Sequence, residues 1–298
     1  MRDVIGYPAM EKFIDSKRVD RPKFRELIYR EDREIPEQYD MVQMKMDGIW
    51  GCLIINNGQW AIYSRTGKMK ADGVISDSQI DVVLLGEFMY GSHWANVRDI
   101  DGEFYIFDCI RFEGKNIERK ELAERTLCSE WAWEQCKHEL EWLDILETYD
   151  AGEWPTLWEH YIEGEGYEGL VFKDSTSEYQ TRMAWARMKN VVEVEYICHS
   201  FRMADEGTKY EGQVGGVIGT FIDKDVYVTC GGITEEMRHD FTDNPDVYIG
   251  QVFKAKGNTW YPSGSIRHPK FMHWRDDKTP DDCTCDQIPE SVRAYASK

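Results

Sequence analysis

Residues 41–112 are divided by turn signals into short runs of β-branched and aromatic residues, and this division restricts the fold more than any other feature. The runs that begin at Met41 and Gln59 are separated by Asn56-Asn57-Gly58, which is typical of a tight β-hairpin turn. Two further runs, VVLLGEFMYG and EFYIFDCIRF, have the same character. Because strands joined by short turns pair antiparallel, this part of the chain is predicted to form antiparallel sheet.

The pattern changes after residue 112 to apolar residues at helical spacing. Residues about 118–142 are predicted to form an amphipathic helix whose apolar face carries Leu122, Leu127, Trp131, Leu140 and Leu143. The tryptophans in or near the helices are interpreted as packing residues. A second short helix is predicted at PTLWEHYIEGEG, which begins with proline and ends at glycines. The charged residues 1–38 are predicted to form a short helix and loops.

Short β segments separated by turn residues follow after about residue 190. They are VEVEYICHSF, GGVIGTFID, DVYVTCGGI and YIGQVFKAKGN, with a hairpin end expected at Ile222-Asp223-Lys224-Asp225. This spacing predicts a small barrel or Greek-key domain. The chain is therefore expected to be an α+β protein of two domains, residues 1–190 and 191–298.

Composition excludes several classes of protein. Of the 298 residues, 42% are hydrophobic, which is ample for packed cores, yet no apolar run is long enough for a transmembrane helix. The N-terminus lacks the apolar region of a signal peptide, so a cytoplasmic protein without membrane association is expected. The eight cysteines form no CxxC pair and are expected to be reduced thiols. The net charge of −19 argues against a general nucleic-acid-binding surface but allows a local cationic cleft.

Lys45 lies in Gln43-Met44-Lys45-Met46-Asp47-Gly48, between two predicted strands. A lysine in a strand is ordinarily a solvent-facing spacer. The alternative is a partly buried amine that acts as a nucleophile. Since lysine amines ordinarily have a pKa of about 10.4, a nucleophilic lysine needs cationic neighbours and partial burial. The fragment alone leaves both interpretations open.

Six further elements follow along the same chain. They are Ser64-Arg65-Thr66-Gly67, Leu85-Gly86-Glu87-Phe88, Ile106-Phe107-Asp108, Glu168-Gly169-Leu170-Val171-Phe172-Lys173, Arg187-Met188-Lys189 and Arg275-Asp276-Asp277-Lys278. Each alone has an ordinary explanation, such as a surface carboxylate, a core phenylalanine or a solvated charge run. In order and spacing, however, the set resembles the motifs of the covalent nucleotidyltransferases, which comprise ATP-dependent DNA ligases, RNA ligases and mRNA capping enzymes. The resemblance spans residues about 41–278.

The end of the chain distinguishes members of this superfamily. Arg267-His268-Pro269-Lys270-Phe271, which leads into Arg275-Asp276-Asp277-Lys278, is similar to the end of the OB-fold domain in ATP-dependent DNA ligases of the compact bacteriophage type. The resemblance implies a nucleotidyltransferase (adenylation) domain with antiparallel sheets and flanking helices, followed by a small all-β OB-fold domain. A hinge is expected near residues 189–194.

The implied activity is ATP-dependent sealing of 5′-phosphate/3′-hydroxyl nicks in duplex DNA by a monomer, through a covalent lysyl-AMP intermediate. The alternatives are an RNA ligase, a GTP-dependent capping guanylyltransferase, or a nucleic-acid-binding protein without catalysis. If the chain is viral, its expected location is the host cytoplasm.

The resemblance also implies a role for each matching residue. Lys45 would attack the α-phosphorus of ATP, while Lys173, Arg187 and Lys189 would hold the α-phosphate. Glu87 would contact the ribose, Phe107 the purine, and Arg65 the nick phosphate or the ribose. Arg275 and Lys278 would contact the departing pyrophosphate. Glu168 and Glu87 would bind Mg²⁺ or Mn²⁺.

Two positions depart from the family pattern. Ligases usually have arginine where this chain has Trp50, and in the family that arginine helps to organise the contacts to phosphate and to the nick. A second motif usually has lysine where Arg187 stands, and arginine keeps the charge while adding bidentate phosphate geometry.

Overall fold

The computed structural model describes residues 24–27, 29, 33–77, 79–92, 95–96, 98–261, 263–290 and 292. The chain divides into two compact units, Met1–Lys189 and Asn190–Lys298. None of the helices formed by the described residues has the length and apolar character needed to cross a membrane.

The first unit is built of two sheets and few helices. Its strands are β1 (Arg25–Leu27), β2 (Met41–Lys45), β3 (Ile49–Asn56), β4 (Gln59–Ser64), β5 (Met69–Val74), β6 (Val82–Phe88), β7 (Phe104–Phe112), β8 (Lys115–Asn116), β9 (Leu143–Ile145), β10 (Thr148–Asp150), β11 (Gly169–Lys173) and β12 (Trp185–Lys189). Its helices are α1 (Leu122–Cys136) and α2 (Trp154–Leu157), with a 3-10 turn at Ala151–Glu153 and a π-helical segment at Trp158–Gly164.

The larger sheet has the order β5-β4-β3-β6-β7-β8, and β9 pairs parallel with β7. The hairpin predicted between β3 and β4 is confirmed, with Asn57 and Gly58 at φ 51° and 71°. Both residues are left-handed, as the tight turn between antiparallel strands requires. One face of this sheet buries apolar side chains against Ala132 and Cys136 of α1.

The smaller sheet has the order β1-β12-β11-β2-β10. Its neighbours pair antiparallel except β1 and β12, which are parallel. The strand Arg25–Leu27 corrects the prediction of helix and loop at this point, since its backbone pairs with β12. Residues 33–38 form neither helix nor strand, in agreement with the predicted loops, and the part of the prediction for residues 1–23, 28 and 30–32 lies outside the described residues.

Helix α1 is shorter than predicted and packs through a different face. Its buried residues are Leu122, Arg125, Ser129, Ala132 and Cys136. By contrast, Leu127 is 65% exposed and Trp131 is 43% exposed. Leu140 is buried beyond the helix end and Leu143 begins β9. The predicted apolar face is therefore wrong at Leu127 and Trp131, whereas Leu122 is buried as predicted. Trp131 does pack, since its ring lies edge-on to that of Phe112 with the ring centroids 5.0 Å apart, although much of the ring is exposed.

A buried ion pair explains which face of α1 turns inward. Arg125 Nε lies 2.8 Å from Asp108 Oδ1, and Arg125 Nη2 lies 3.0 Å from Asp108 Oδ2. Arg125 Nη1 also donates to the carbonyl oxygens of Lys120 (2.6 Å) and Ser177 (3.0 Å). The two charged side chains are 1% and 0% exposed. This two-point pairing orients the helix, because either charge buried alone would be costly.

The second unit contains one five-stranded antiparallel sheet of order β15-β14-β13-β16-β17. Its strands are β13 (Val192–Met203), β14 (Val214–Thr220), β15 (Val228–Cys230), β16 (Val252–Gly257) and β17 (Lys270–Trp274), and the turn expected at residues 222–225 does connect β14 to β15. Helices α3 (Glu235–Asp243) and α4 (Pro245–Tyr248) follow β15, and 3-10 turns lie at Pro280–Asp282 and Cys285–Gln287.

Helix α3 corrects the prediction that this part of the chain is all-β. Thr234 caps the helix, its hydroxyl oxygen accepting from the Met237 N–H at 3.2 Å, and Glu235 and Glu236 occupy the first turn. Acidic residues favour a helix N-terminus because they complement its dipole. Phe241 anchors the helix in the core of the unit.

Candidate active site

The strands β2, β11 and β12 bring the predicted site residues together in rows across one face of the smaller sheet. In the first row, Lys45 lies opposite Gly169, which lies opposite Lys189. Residues opposite one another share a face, as do residues two apart along a strand. The next rows on the same face are Gln43, Val171 and Arg187, followed by Met41, Lys173 and Trp185.

Glu168, immediately before β11, lies between the two lysines of the first row. Its Oε2 is 2.5 Å from Lys45 Nζ, and its Oε1 is 2.5 Å from Lys189 Nζ. The Glu168 side chain is only 4% exposed. Burial raises the pKa of Glu168, but the two ammonium groups and their hydrogen bonds outweigh burial and lower it overall. A carboxylate thus bridges the two amines.

Glu87 at the end of β6 fixes the turn that follows Lys45. Its Oε1 accepts a hydrogen bond from the Gly48 N–H at 3.1 Å. A Cβ on Gly48 would lie 2.5 Å from the Phe88 carbonyl oxygen, so the close approach of the two strands requires glycine. Burial raises the pKa of Glu87 to about 7, although Lys45 and the Gly48 N–H act in the opposite direction.

The raised pKa of Glu87 predicts a pH-dependent stability. Between about pH 4.5 and 7 the folded protein holds a proton that the unfolded chain has released, so the free energy of unfolding falls as pH rises. We expect the Glu87→Gln variant to lack this component. The free energy of unfolding of the variant, minus that of the wild type, should therefore increase by up to about 3 kcal/mol as the pH rises from about 4.5 to 7. Urea denaturation at a series of pH values measures the difference. A constant difference would contradict the assignment.

Lys173 lies deeper, with its amine held by two aromatic rings. The Nζ atom lies 4.1 Å from the ring centroid of Trp185 and 5.4 Å from that of Phe107. It donates hydrogen bonds to Gln43 Oε1 and, at 3.0 Å, to the Phe107 carbonyl oxygen. Burial lowers the pKa of Lys173 to about 7, with Asp108 opposing and Arg125 reinforcing the shift. The protonation of this amine therefore changes near neutral pH.

These side chains line a cleft of about 270 Å³ in the first unit. Small-molecule sites span about 300–1,000 Å³, so the volume of the cleft is just below that range. The predicted site residues on its lining are Lys45, Glu87, Phe107, Glu168, Lys173, Arg187 and Lys189. The arrangement can hold an anion against three amines and a guanidinium beside aromatic rings.

Gln43 and Trp185 also line the cleft but were not predicted from the sequence. Gln43 is two residues before Lys45, and Trp185 is two residues before Arg187. The two-residue period of a strand places both side chains on the same face as the known motif residues. Both residues could have been found from the sequence by considering the positions two residues before and after each motif residue in a strand.

Three predicted residues lie elsewhere. Arg65 is exposed in the turn after β4 and is not among the residues lining the cleft. Arg275 belongs to the second unit, where it donates to Asp277 at 2.8 and 2.7 Å and also pairs with Glu195. Lys278 Nζ lies 3.9 Å from Glu195 Oε2. Both of these cations are held by carboxylates of their own unit.

Trp50 and Arg187 are the two departures from the family pattern. The Trp50 side chain is 8% exposed, lines the cleft and packs in a cluster with Cys52 and Tyr63. It presents an apolar wall where an arginine is usual. Arg187 keeps its positive charge and donates from Nε to Glu26 Oε1 at 2.6 Å.

The donor chemistry of the cleft fits a hard cation bound together with phosphate. Glu87 and Glu168 both line it and offer carboxylate oxygens, the ligand type that Mg²⁺ prefers. Among the described residues, no three His, Cys, Asp or Glu side chains converge on one point. A Mg²⁺ ion commonly takes one or two protein carboxylates and completes its shell with phosphate oxygens and water, which matches this pair.

The fold is similar to that of several solved structures, one of them from a study of DNA ligases. A structure named Pmar-Lig_Pre superposes with a TM-score of 0.61 at 19% identity, covering 80% of this chain and 63% of that one. A structure from a study of DNA binding by Lig E DNA ligases superposes with a TM-score of 0.60 at 14% identity, covering 86% of this chain and 100% of that one.

Comparisons of the sequence with known families and proteins find similarity to DNA ligases. Residues 86–190 match the family model described as "ATP dependent DNA ligase domain". The DNA ligase of Enterobacteria phage T3 is 32% identical over 146 residues, which cover 46% of this chain and 42% of that protein. The DNA ligase of Aeropyrum pernix is 23% identical over 241 residues, which cover 63% of this chain and 39% of that protein. The matches confirm the resemblance to ATP-dependent DNA ligases of phage type. They span about two-fifths of the length of each of these relatives.

Proposed function

We propose that this protein is an ATP-dependent DNA ligase in which Lys45 becomes covalently linked to AMP. The observation that carries the proposal is the row Lys45, Gly169 and Lys189, with the buried Glu168 carboxylate 2.5 Å from each lysine amine. One amine can serve as the nucleophile, and the other can remain to balance phosphate charge. The match of residues 86–190 to the ligase domain family supports the choice of reaction.

Three transfers make up the proposed reaction. Lys45 Nζ attacks the α-phosphorus of ATP, so that an N–P bond forms and the bond to pyrophosphate breaks. The 5′-phosphate at a nick then takes the AMP from Lys45. Finally, the 3′-hydroxyl attacks this activated phosphate, closing the phosphodiester and releasing AMP. Lys189, Arg187 and Lys173 would bind the phosphate oxygens, where fixed positive charge stabilises each transition state.

The remaining assignments belong to the same proposal. Phe107 and Glu87 would contact the purine and ribose, and Arg65 the nick. Glu168 with Glu87 would hold Mg²⁺ or Mn²⁺, which would neutralise charge on the phosphate oxygens. Residues 1–190 would form the nucleotidyltransferase (adenylation) domain and residues 191–298 the OB-fold domain, whose Arg275 and Lys278 would assist pyrophosphate release. We further propose that the enzyme acts as a monomer in the cytoplasm, or in the host cytoplasm if it is viral.

Labelling with nucleotide, followed by sealing assays, tests this function. The purified protein is incubated with Mg²⁺ and radiolabelled ATP or GTP, and acid-stable label is counted. It is then given nicked duplex DNA or nicked RNA. We expect an adduct from ATP and sealing of DNA. An adduct from GTP alone would indicate a capping enzyme, sealing of RNA alone would indicate an RNA ligase, and no adduct from either nucleotide would contradict catalysis.

The Lys173→Met variant tests the buried amine. Methionine has a similar length and tolerates the aromatic surroundings, but it cannot pair with phosphate. We expect the rate of adduct formation with ATP to fall about a hundredfold, the size of effect seen when one fixed donor to a transition state is removed. Single-turnover labelling measures this rate, and the urea midpoint reports the stability. An unchanged rate would assign Lys173 a purely structural role.

A further inference from the structure

The first unit contains a groove of about 940 Å³ whose lining is aromatic and acidic. Six tyrosine and tryptophan residues line it, together with the carboxylates of Glu130, Glu134, Asp144 and Glu147. Among the residues that the structure describes, no lysine or arginine contributes to this lining. We call this concavity the acidic groove. Its chemistry is opposite in sign to that of the cleft around Lys45.

The wall formed by α1 carries the exposed apolar pair that contradicts the predicted helix face. Leu127 and Trp131 are one turn apart, so they lie on the same side of the helix, and both line the acidic groove. Their exposed fractions are 65% and 43%. Large apolar side chains that adjoin on a concave surface mark an interaction site, whereas scattered ones do not.

Charge decides what the acidic groove can bind. A phosphate backbone would be repelled by the four carboxylates. A second copy of this chain would bring its own net charge of −19. A segment rich in lysine or arginine is complementary, because its charged ends meet carboxylates while its aliphatic stems cover aromatic rings.

One lysine of the chain already shows this mode of recognition at the edge of the acidic groove. Lys137 Nζ lies 2.7 Å from Glu134 Oε2 and 4.6 Å from the ring centroid of Trp133. Both partners are lining residues. The pairing of a carboxylate with an aromatic face is therefore suited to an ammonium group, as cation–π attraction predicts.

We propose that the acidic groove binds a lysine- or arginine-rich segment of a partner protein. The cationic side chains contact Glu130, Asp144 and the tyrosine and tryptophan rings, and apolar residues of the segment cover Leu127 and Trp131. Met44, Met46 and Leu146 line both the acidic groove and the cleft of the candidate active site. The bound segment therefore packs beside the strand that carries Lys45. This interaction does not depend on the proposed ligase chemistry.

Fluorescence anisotropy with a fluorescein-labelled peptide of alternating lysine and leucine tests the proposal. The full chain should bind this peptide, and an acidic peptide of equal length should not bind. The double variant Glu130→Gln, Asp144→Asn removes charge, and Trp131→Ala removes the exposed ring. Each should weaken binding about fivefold to tenfold, in keeping with a partly exposed cation–π or ionic contact.

Matched variants in the second unit distinguish binding of the peptide in the acidic groove from nonspecific attraction of a basic peptide to an acidic protein. Glu236→Gln with Asp246→Asn removes the same charge from exposed positions, and Tyr227→Ala removes an exposed ring. These variants should bind the peptide as the wild type does. Equal weakening by both sets, or no weakening by the groove variants, would overturn the proposal. Circular dichroism and urea midpoints confirm that each variant is folded.

Discussion

The Lys45→Arg variant should form no covalent adduct with ATP. Arginine keeps the positive charge and can still pair with Glu168, so the ion pairs around the cleft remain complete. The guanidinium cannot act as a nucleophile, because it stays protonated at all accessible pH values. Acid-stable labelling and intact-protein mass spectrometry should both detect adduct on the wild type and none on the variant.

Lys115→Arg is the matched control for this loss. Lys115 is also a strand lysine, but it is exposed on β8, so it represents the solvent-facing spacer that Lys45 might have been. Its replacement should leave labelling unchanged. Lys45→Ala should abolish labelling just as Lys45→Arg does, while the fold is retained. Residual adduct on either Lys45 variant would identify a different nucleophile.

Of the substitutions proposed, Asp108→Ala should lower the free energy of unfolding the most. Its carboxylate is 0% exposed and makes two hydrogen bonds to Arg125, so the substitution leaves a guanidinium buried without its counter-charge. Removing one member of a buried ion pair costs about 3–5 kcal/mol. A shift of the urea midpoint to much lower denaturant concentration, measured by circular dichroism, would reveal this loss.

The exposed ion pair Lys120–Glu124 is the control for the buried ion pair Asp108–Arg125. These side chains are 3.0 Å apart but 58% and 54% exposed, on the same part of the chain as Arg125. The Glu124→Gln variant should change the free energy of unfolding by less than about 0.5 kcal/mol. If Asp108→Ala also stays within that limit, the buried pair does not hold α1 against the sheet.

The sequence predicted β3, β4, β6 and β7 of the larger sheet because their signals are local, but it did not predict short strands such as β1, which lies where a helix and loops were expected. Asn57-Gly58 requires left-handed backbone, and alternating apolar runs require a sheet with a buried face. The face of α1 could not be predicted in this way. Arg125 turns inward only because Asp108, on another element, neutralises it. Helix α3 had a local signal, Thr234 followed by two glutamates, that the short β-like segments around it obscured.

The candidate site was predictable as far as its motifs extend. The pairing of β2, β11 and β12 brings most of the residues singled out from sequence into one cleft. Sequence order alone does not specify which strands are neighbours, so the bridge from Glu168 to both Lys45 and Lys189 could not be foreseen. Nor could the position of the Lys173 amine between Phe107 and Trp185, which depends on three separate strands.

The carboxylate of Glu168 has a consequence for which anions can enter the cleft. Since each of its oxygens is already bound to a lysine amine, the cleft carries an internal counter-ion. A monovalent anion that displaced it would exchange one unit of negative charge for another and would gain little from the two amines. A polyphosphate brings several charges and gains more than the displaced contact provided. We therefore expect Glu168 to disfavour the binding of small anions such as chloride between these two lysines.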